Sequence, residues 1–216
     1  MINIINPKEM KTTFIIILTF IINLLTNNIM AQTEHQKYEV IRKYQEGIEI
    51  RYYPPAIYAK VYTNAQSYRE ISSPGFNALA GYIFGGNNYS KKIAMTAPVH
   101  MEFGDEGASM SFVMPSAYNL NDLPNPNNPA VKLEESKPEY IASIRFGGYA
   151  NDEKILKYSE KLRDFLLLND IEYRGNFRFL GYNSPYKVIN RRNEIVVQVA
   201  INEDKFVGES EKNSVR

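Results

Sequence analysis

The chain has 216 residues, with 25 basic and 24 acidic side chains for a net charge of +1, and no cysteine. Disulfides, thiolate metal sites and cysteine nucleophiles are therefore excluded, and the balanced charge lacks the basic excess of a nucleic-acid binder. The two histidines, His35 and His100, are too few and too far apart for a zinc cluster.

The first recognisable element is Phe14 to Leu25, a run of 12 residues that is apolar apart from Thr19 and Asn23 and is preceded by Lys8 and Lys11. A bilayer-spanning helix needs about 20 apolar residues. The short core, its positive flank and the small Ala31 read as a secretory signal peptide over residues 1–31. Met10 is an alternative start, and an uncleaved, tilted anchor is the alternative role. Residues 32–37 read as an N-terminal tail carrying His35, residues 38–201 as one domain long enough for an ordinary core, and residues 202–216 as a polar C-terminal tail. The expected product is a secreted or periplasmic domain, with no stable membrane insertion after signal removal.

Within the domain, a shift of 83 residues lays one half on the other. Ile48 and Ile50 fall on Val131 and Leu133, while Ile57, Ala59 and Val61 fall on Tyr140, Ala142 and Ile144. Both sets alternate with period 2, as strands do. Leu79 then meets Leu162, Ile83 meets Leu166, and Phe112 and Val113 meet Ile195 and Val196. Each half is expected to contribute two strands, a helix and two more strands. The first helix is started at Pro74, with Ser73 as its cap, and buries a stripe of Phe76, Leu79, Ala80 and Ile83. The second runs from Asp152 to Leu168 with Ile155, Leu162, Phe165 and Leu166 inward. Asn119 to Pro129 is a loop between the halves. The economical fold is α+β: an antiparallel sheet curved toward a barrel, with two flanking helices.

Enzymatic motifs are sparse. His100 lies between Val99 and Met101 with Asp105 nearby, yet no Gly-x-Ser-x-Gly elbow accompanies it, and it reads as an ordinary strand residue. Gly85-Gly86 and Gly147-Gly148 lack the context of nucleotide-binding loops. The 16 tyrosines and 11 phenylalanines belong mostly to a core. The exception is a loop in which Tyr182, Tyr186 and Val188 surround Pro185 and Lys187. Apolar groups around a single cation suit a flat apolar ligand with an anionic edge, such as haem, another tetrapyrrole or a fatty acid.

Five segments in order, Ile48–Ala56, Lys91–Val99, Val113–Pro115, Phe146–Ala150 and Gly181–Ile195, resemble the signature segments of the SOUL family of haem-binding proteins. The resemblance implies a distorted β-barrel with two helices and pseudo-twofold symmetry. It also implies non-covalent haem binding in a shallow cleft between the first helix and the loop before the last strand. The matching residues are Phe76, Leu79, Ala80 and Ile83 on the helix and Tyr182, Tyr186, Lys187 and Val188 in the loop, with Lys187 toward a propionate. Basic residues that some members carry on that helix are absent; Ser73, Ala78 and Gly81 occupy the region. Asn193 and Glu194 are expected to close the turn into the last strand. Tyr52 takes the place of a histidine found in some members; it reads first as a half-buried strand residue, and as the alternative a tyrosinate stabilised by Arg51 could ligate ferric iron. The expected role is a haem buffer, carrier or sequestering protein rather than an enzyme. The alternatives are a tetrapyrrole-processing enzyme, with Tyr52, Lys187 or Glu194 as acid–base groups, and a sensor of another apolar small molecule on the same scaffold.

Overall fold

The computed structural model describes residues 33–200; the expected signal peptide and the C-terminal tail lie outside them. In chain order the strands are β1 (Glu34–His35), β2 (Glu39–Lys43), β3 (Ile48–Tyr53), β4 (Ile57–Thr63), β5 (Thr96–Ala97), β6 (Val99–Gly104), β7 (Gly107–Val113), β8 (Lys132–Glu135), β9 (Glu139–Phe146), β10 (Tyr173–Gly181) and β11 (Asn193–Val199). The helices are α1 (Tyr68–Ile83), between β4 and β5, and α2 (Asp152–Leu168), between β9 and β10.

Nine strands form one antiparallel sheet in the order β2-β3-β9-β11-β10-β6-β7-β4-β8. The alternation read from the sequence sets its two faces. In β3, Ile48 and Ile50 turn to one side while Arg51 and Tyr53 turn to the other. Both helices pack on the first side, α1 against β4 and β7, α2 against β9, β10 and β11. Leu79, Ile83, Leu162 and Leu166 join Ile50, Val61, Met110, Ile144 and Ile195 in the main core. Each such burial contributes about 1.5–3 kcal/mol. Gly75 sets the approach of α1, since a Cβ there would lie 3.1 Å from Met110. A smaller cluster of Tyr53, Ala97, Ile141, Leu180, Tyr182 and Val196 fills the opposite face.

Three expectations are corrected. The sheet does not close into a barrel: β2 and β8 each pair on one side and are its edges. Helix α1 begins at Tyr68 rather than Pro74, because Ser67 caps it by accepting from Glu70 N. Pro74 therefore sits inside the helix, where its missing N–H leaves the Glu70 carbonyl without the usual partner. Residues 34–36 are not a loose tail, since β1 pairs in parallel with β5 and Gln36 N donates to Ala97 O. Helix α2 runs over the expected span, with Asn151 as its cap.

Candidate functional site

Strand β10 ends at Gly181 and β11 begins at Asn193, and beyond the closing Tyr182 N to Arg192 O bond of 3.3 Å residues 183–191 turn outside the sheet ladder. Arg191 organises them. Its Nη1 donates to the carbonyls of Ser184 (2.8 Å) and Lys187 (2.6 Å), and its Nη2 reaches Asn183 O at 3.4 Å. The guanidinium lies 4.4 Å from the centre of the Tyr149 ring, whose hydroxyl donates to Pro185 O. Asn183 Oδ1 accepts from Arg192 N and pins the base of the loop. With its backbone gathered inward, the loop turns Tyr186, Val188 and Ile189 to solvent, at 89%, 69% and 74% exposure. Neighbouring large apolar groups left exposed on a braced loop mark a binding surface more often than a packing accident. Arg191 Nε is buried without a partner. The first turn of α1 lies within electrostatic reach of the loop: burial raises the Tyr68 phenol's pKa, and the Arg191 charge opposes that rise.

The expected site residues separate into three groups. Leu79 and Ile83 are buried in the main core, Ala80 is buried beside them on the helix, and Phe76 is half-buried, edge-on to Phe112. These four anchor α1 to the sheet rather than lining an open cleft. Tyr182 is buried on the other face of the sheet. Tyr186, Lys187 and Val188 are exposed together on the loop. Sequence reasoning missed Ile189, Tyr149 and Tyr68. Ile189 was readable as an apolar residue inside a polar loop; the other two are brought in only by tertiary folding.

Tyr52 is half-buried against Tyr140, with ring centres 5.2 Å apart. The Tyr52–Tyr140 pair and the Asn193–Phe146 pair sit at opposite ends of β9, roughly 20 Å apart at strand rise. Arg51 cannot serve it, because adjacent strand residues face opposite ways and Arg51 is committed elsewhere. Arg51 donates to both carboxylate oxygens of Glu194 (2.7 and 3.1 Å) and to Glu49 (2.8 Å). Glu194 also accepts from Arg192 (2.9 Å) and from the Tyr182 hydroxyl (2.9 Å). Arg192 in turn donates to Tyr38 and stacks on Tyr182 at 3.9 Å. Burial opposes the charged form of Glu194, but the Arg51 and Arg192 contacts outweigh it and hold the carboxyl below its ordinary range. The same burial pushes the Tyr53 phenol up to about 12. Glu194 thus does more than close a turn. It ties Tyr38, just before β2, together with β3 and the loop base into one network, which fixes where the loop stands.

The sequence profile of the SOUL heme-binding protein family matches residues 33–198. The chain belongs to the SOUL family. Heme-binding protein 1 of Xenopus laevis is 26% identical over 183 residues, covering 80% of this chain and 95% of that one. Heme-binding protein 2 of Homo sapiens is 30% identical over 158 residues, covering 68% and 75%. Among solved structures, a hydrolase from Listeria innocua superposes with a TM-score of 0.53 at 10% identity, covering 74% of this chain and 95% of that one. The EcmrR C-terminal domain gives 0.50 at 11%, covering 71% and 96%. At such identities these two share the fold alone with this SOUL chain.

Proposed function

We propose that this chain binds haem or a related tetrapyrrole, without covalent attachment, on the surface made by the 182–192 loop, Tyr149 and the first turns of α1. The observation that carries this is the exposed apolar group Tyr186, Val188 and Ile189, held on a loop braced by Arg191 in a SOUL-family chain. The residues present fit the ligand. Apolar side chains suit the faces of a macrocycle, and the exposed Lys187 ammonium, which has no ion-pair partner among the described residues, suits a propionate. Lys154, near Tyr149, is a second cation of the same surface. Bound haem would supply a flat apolar ring, two carboxylates and a redox-active iron.

The role we infer is a buffer, carrier or sequestering protein rather than an enzyme. Tyr52, Lys187 and Glu194, the acid–base groups that metal insertion would call on, are dispersed: one at the far end of β9, one exposed on the loop, one fully buried. Absorbance titration of the full chain with haemin, and in parallel with iron-free protoporphyrin, tests the proposal. A Soret shift with both ligands is expected; no saturable shift with either would overturn it.

Two further proposals rest on sequence and topology. The chain is exported after cleavage near Ala31, supported by the short apolar run and its positive flank. An N-terminus near Gln32 in exported protein supports this, and an intact leader in the membrane fraction sinks it. The two halves descend from a duplicated unit. That reading is supported by the strand order: with edge strand β2 left out and the sheet read from its other edge, it is unchanged when β3, β4, β6 and β7 exchange places with β8, β9, β10 and β11. Superposing residues 48–113 on 131–199 should lay α1 on α2; a fit that lays a helix on a strand refutes it.

A further inference from the structure

The face of the sheet turned away from both helices carries a polar groove that haem binding does not use. Strand alternation puts Tyr58, Lys60 and Tyr62 of β4, Ser109 and Ser111 of β7, and His100 and Glu102 of β6 on this side, since Ala59, Val61, Met110 and Met101 between them enter the main core. Two adjoining cavities, of about 140 Å³ and about 680 Å³, share Lys60, Glu102 and Ser109. Their walls carry six carboxylates, Glu102, Asp105, Glu106, Glu134, Glu135 and Glu139, against two cations.

Neither cation balances that charge. Arg178 is consumed by a two-point ion pair with Glu139, both contacts at 2.9 Å, and the Lys60 ammonium sits 4.7 Å from the centre of the Tyr62 ring. Among the described residues, Glu102 receives only Asn176 Nδ2 at 3.3 Å, and Glu134 only the Tyr62 hydroxyl. The neutral groups point the same way. Ser109 and Ser111 line the smaller cavity, are each 7% exposed, and have no hydrogen-bond partner for their hydroxyls among the described residues. Gln36 Nε2 donates to Tyr58, so Gln36 Oε1 accepts from His100 Nε2. This leaves His100 Nδ1 as an acceptor, and burial keeps the ring neutral, with a pKa pressed down to about 3. The serine residues and His100 line the cavity, where a donor from a bound molecule would reach their acceptor atoms.

We propose that this groove binds an organic cation rich in N–H donors, an aliphatic amine of the polyamine class, with ammonium groups at Glu102 and Glu134 and its chain along Tyr58, Tyr62 and the two serines. Carboxylates attract the charge, and serine hydroxyls and His100 Nδ1 accept from its N–H groups; the Tyr62 face is already taken by the Lys60 ammonium. Two adjoining cavities give room for more than a single ion, and no group of three metal-ligating side chains occurs among the described residues.

The test is calorimetric titration of the full chain with spermidine at about 150 mM ionic strength, where diffuse attraction is screened beyond about 8 Å, with magnesium chloride as a second titrant. Saturable one-site binding of spermidine is expected. Glu102→Gln and Glu134→Gln should each weaken it at least tenfold, and Ser111→Ala severalfold, while Lys187→Ala leaves it unchanged and all three groove variants keep their haemin titration. Spermidine heats that vanish at this ionic strength, that magnesium reproduces, or that survive both glutamate changes would overturn the proposal. Because haemin is followed on the same samples, loss of one activity is distinguished from loss of the other.

Discussion

Replacing Glu194 removes the anion on which Arg51 and Arg192 converge. Removing one partner of a buried ion pair leaves the other charged and unsolvated, at about 3–5 kcal/mol. Glu194→Ala should lower the free energy of urea unfolding by that amount, and because the network seats the loop base it should weaken haemin binding as well. Unfolding at the wild-type midpoint would show the network to be dispensable. Tyr52→Phe is the contrasting case. It keeps the ring against Tyr140 and removes a hydroxyl far from the loop, so haemin affinity and the Soret band should both be unchanged. Loss of a phenolate-to-iron charge-transfer band in that variant would place the iron at Tyr52 instead. The packing role of Tyr52 was readable as that of a half-buried strand residue, but the buried network of Glu194 was not visible in the sequence. Arg51, Tyr52 and Glu194 look alike as polar residues of strand segments, and only the pleat and the register decide which of them are buried together.

At the scale of elements, the loop is separable from the framework that carries it. Val188→Asp with Ile189→Asp alters side chains that are mostly in solvent, so stability should stay within about 0.5 kcal/mol, while haemin affinity should fall at least tenfold by absorbance titration. Retained affinity would move the site off the loop. Ser67→Ala removes the cap of α1 and should cost about 1 kcal/mol, with a smaller effect on haemin because the helix body is held by Leu79 and Ile83. The strands and α2 were legible because their apolar periods are regular and their breaks carry Gly, Pro or Asn. The start of α1 was not: Pro74 draws the eye, whereas Ser67-x-x-Glu70 is the start signal that the structure uses. The apolar stripe of α1 was correctly read as a stripe, but its partner is the sheet. A sequence period tells that a face is buried and not against what.

At the scale of the whole molecule, acid should be the destabilising direction. His100 is held neutral, with a folded pKa of about 3 against an ordinary 6.5, so from about 6.5 downward the unfolded chain takes up a proton that the folded chain refuses. Stability is full above that range and falls by about 1.4 kcal/mol per pH unit within it. Glu194, whose folded pKa is depressed, adds a loss with the same sign once pH drops through the carboxylate range. Urea unfolding at pH 7 and pH 5 should show the difference, and His100→Gln should flatten it; an unchanged slope would assign the effect elsewhere. The open sheet has a further consequence. An unclosed sheet presents two ribbons of unpaired backbone groups, each able to template a strand from another copy. Here one ribbon is β2, with Glu39, Arg42 and Lys43 and a register shift between Val40 and Arg42, and the other is β8, only four residues long with three charges. These charges and irregularities keep neighbouring copies from zipping together edge to edge. Converting Lys132, Glu134 and Glu135 to threonine should turn a dispersed protein into one whose light scattering climbs with concentration.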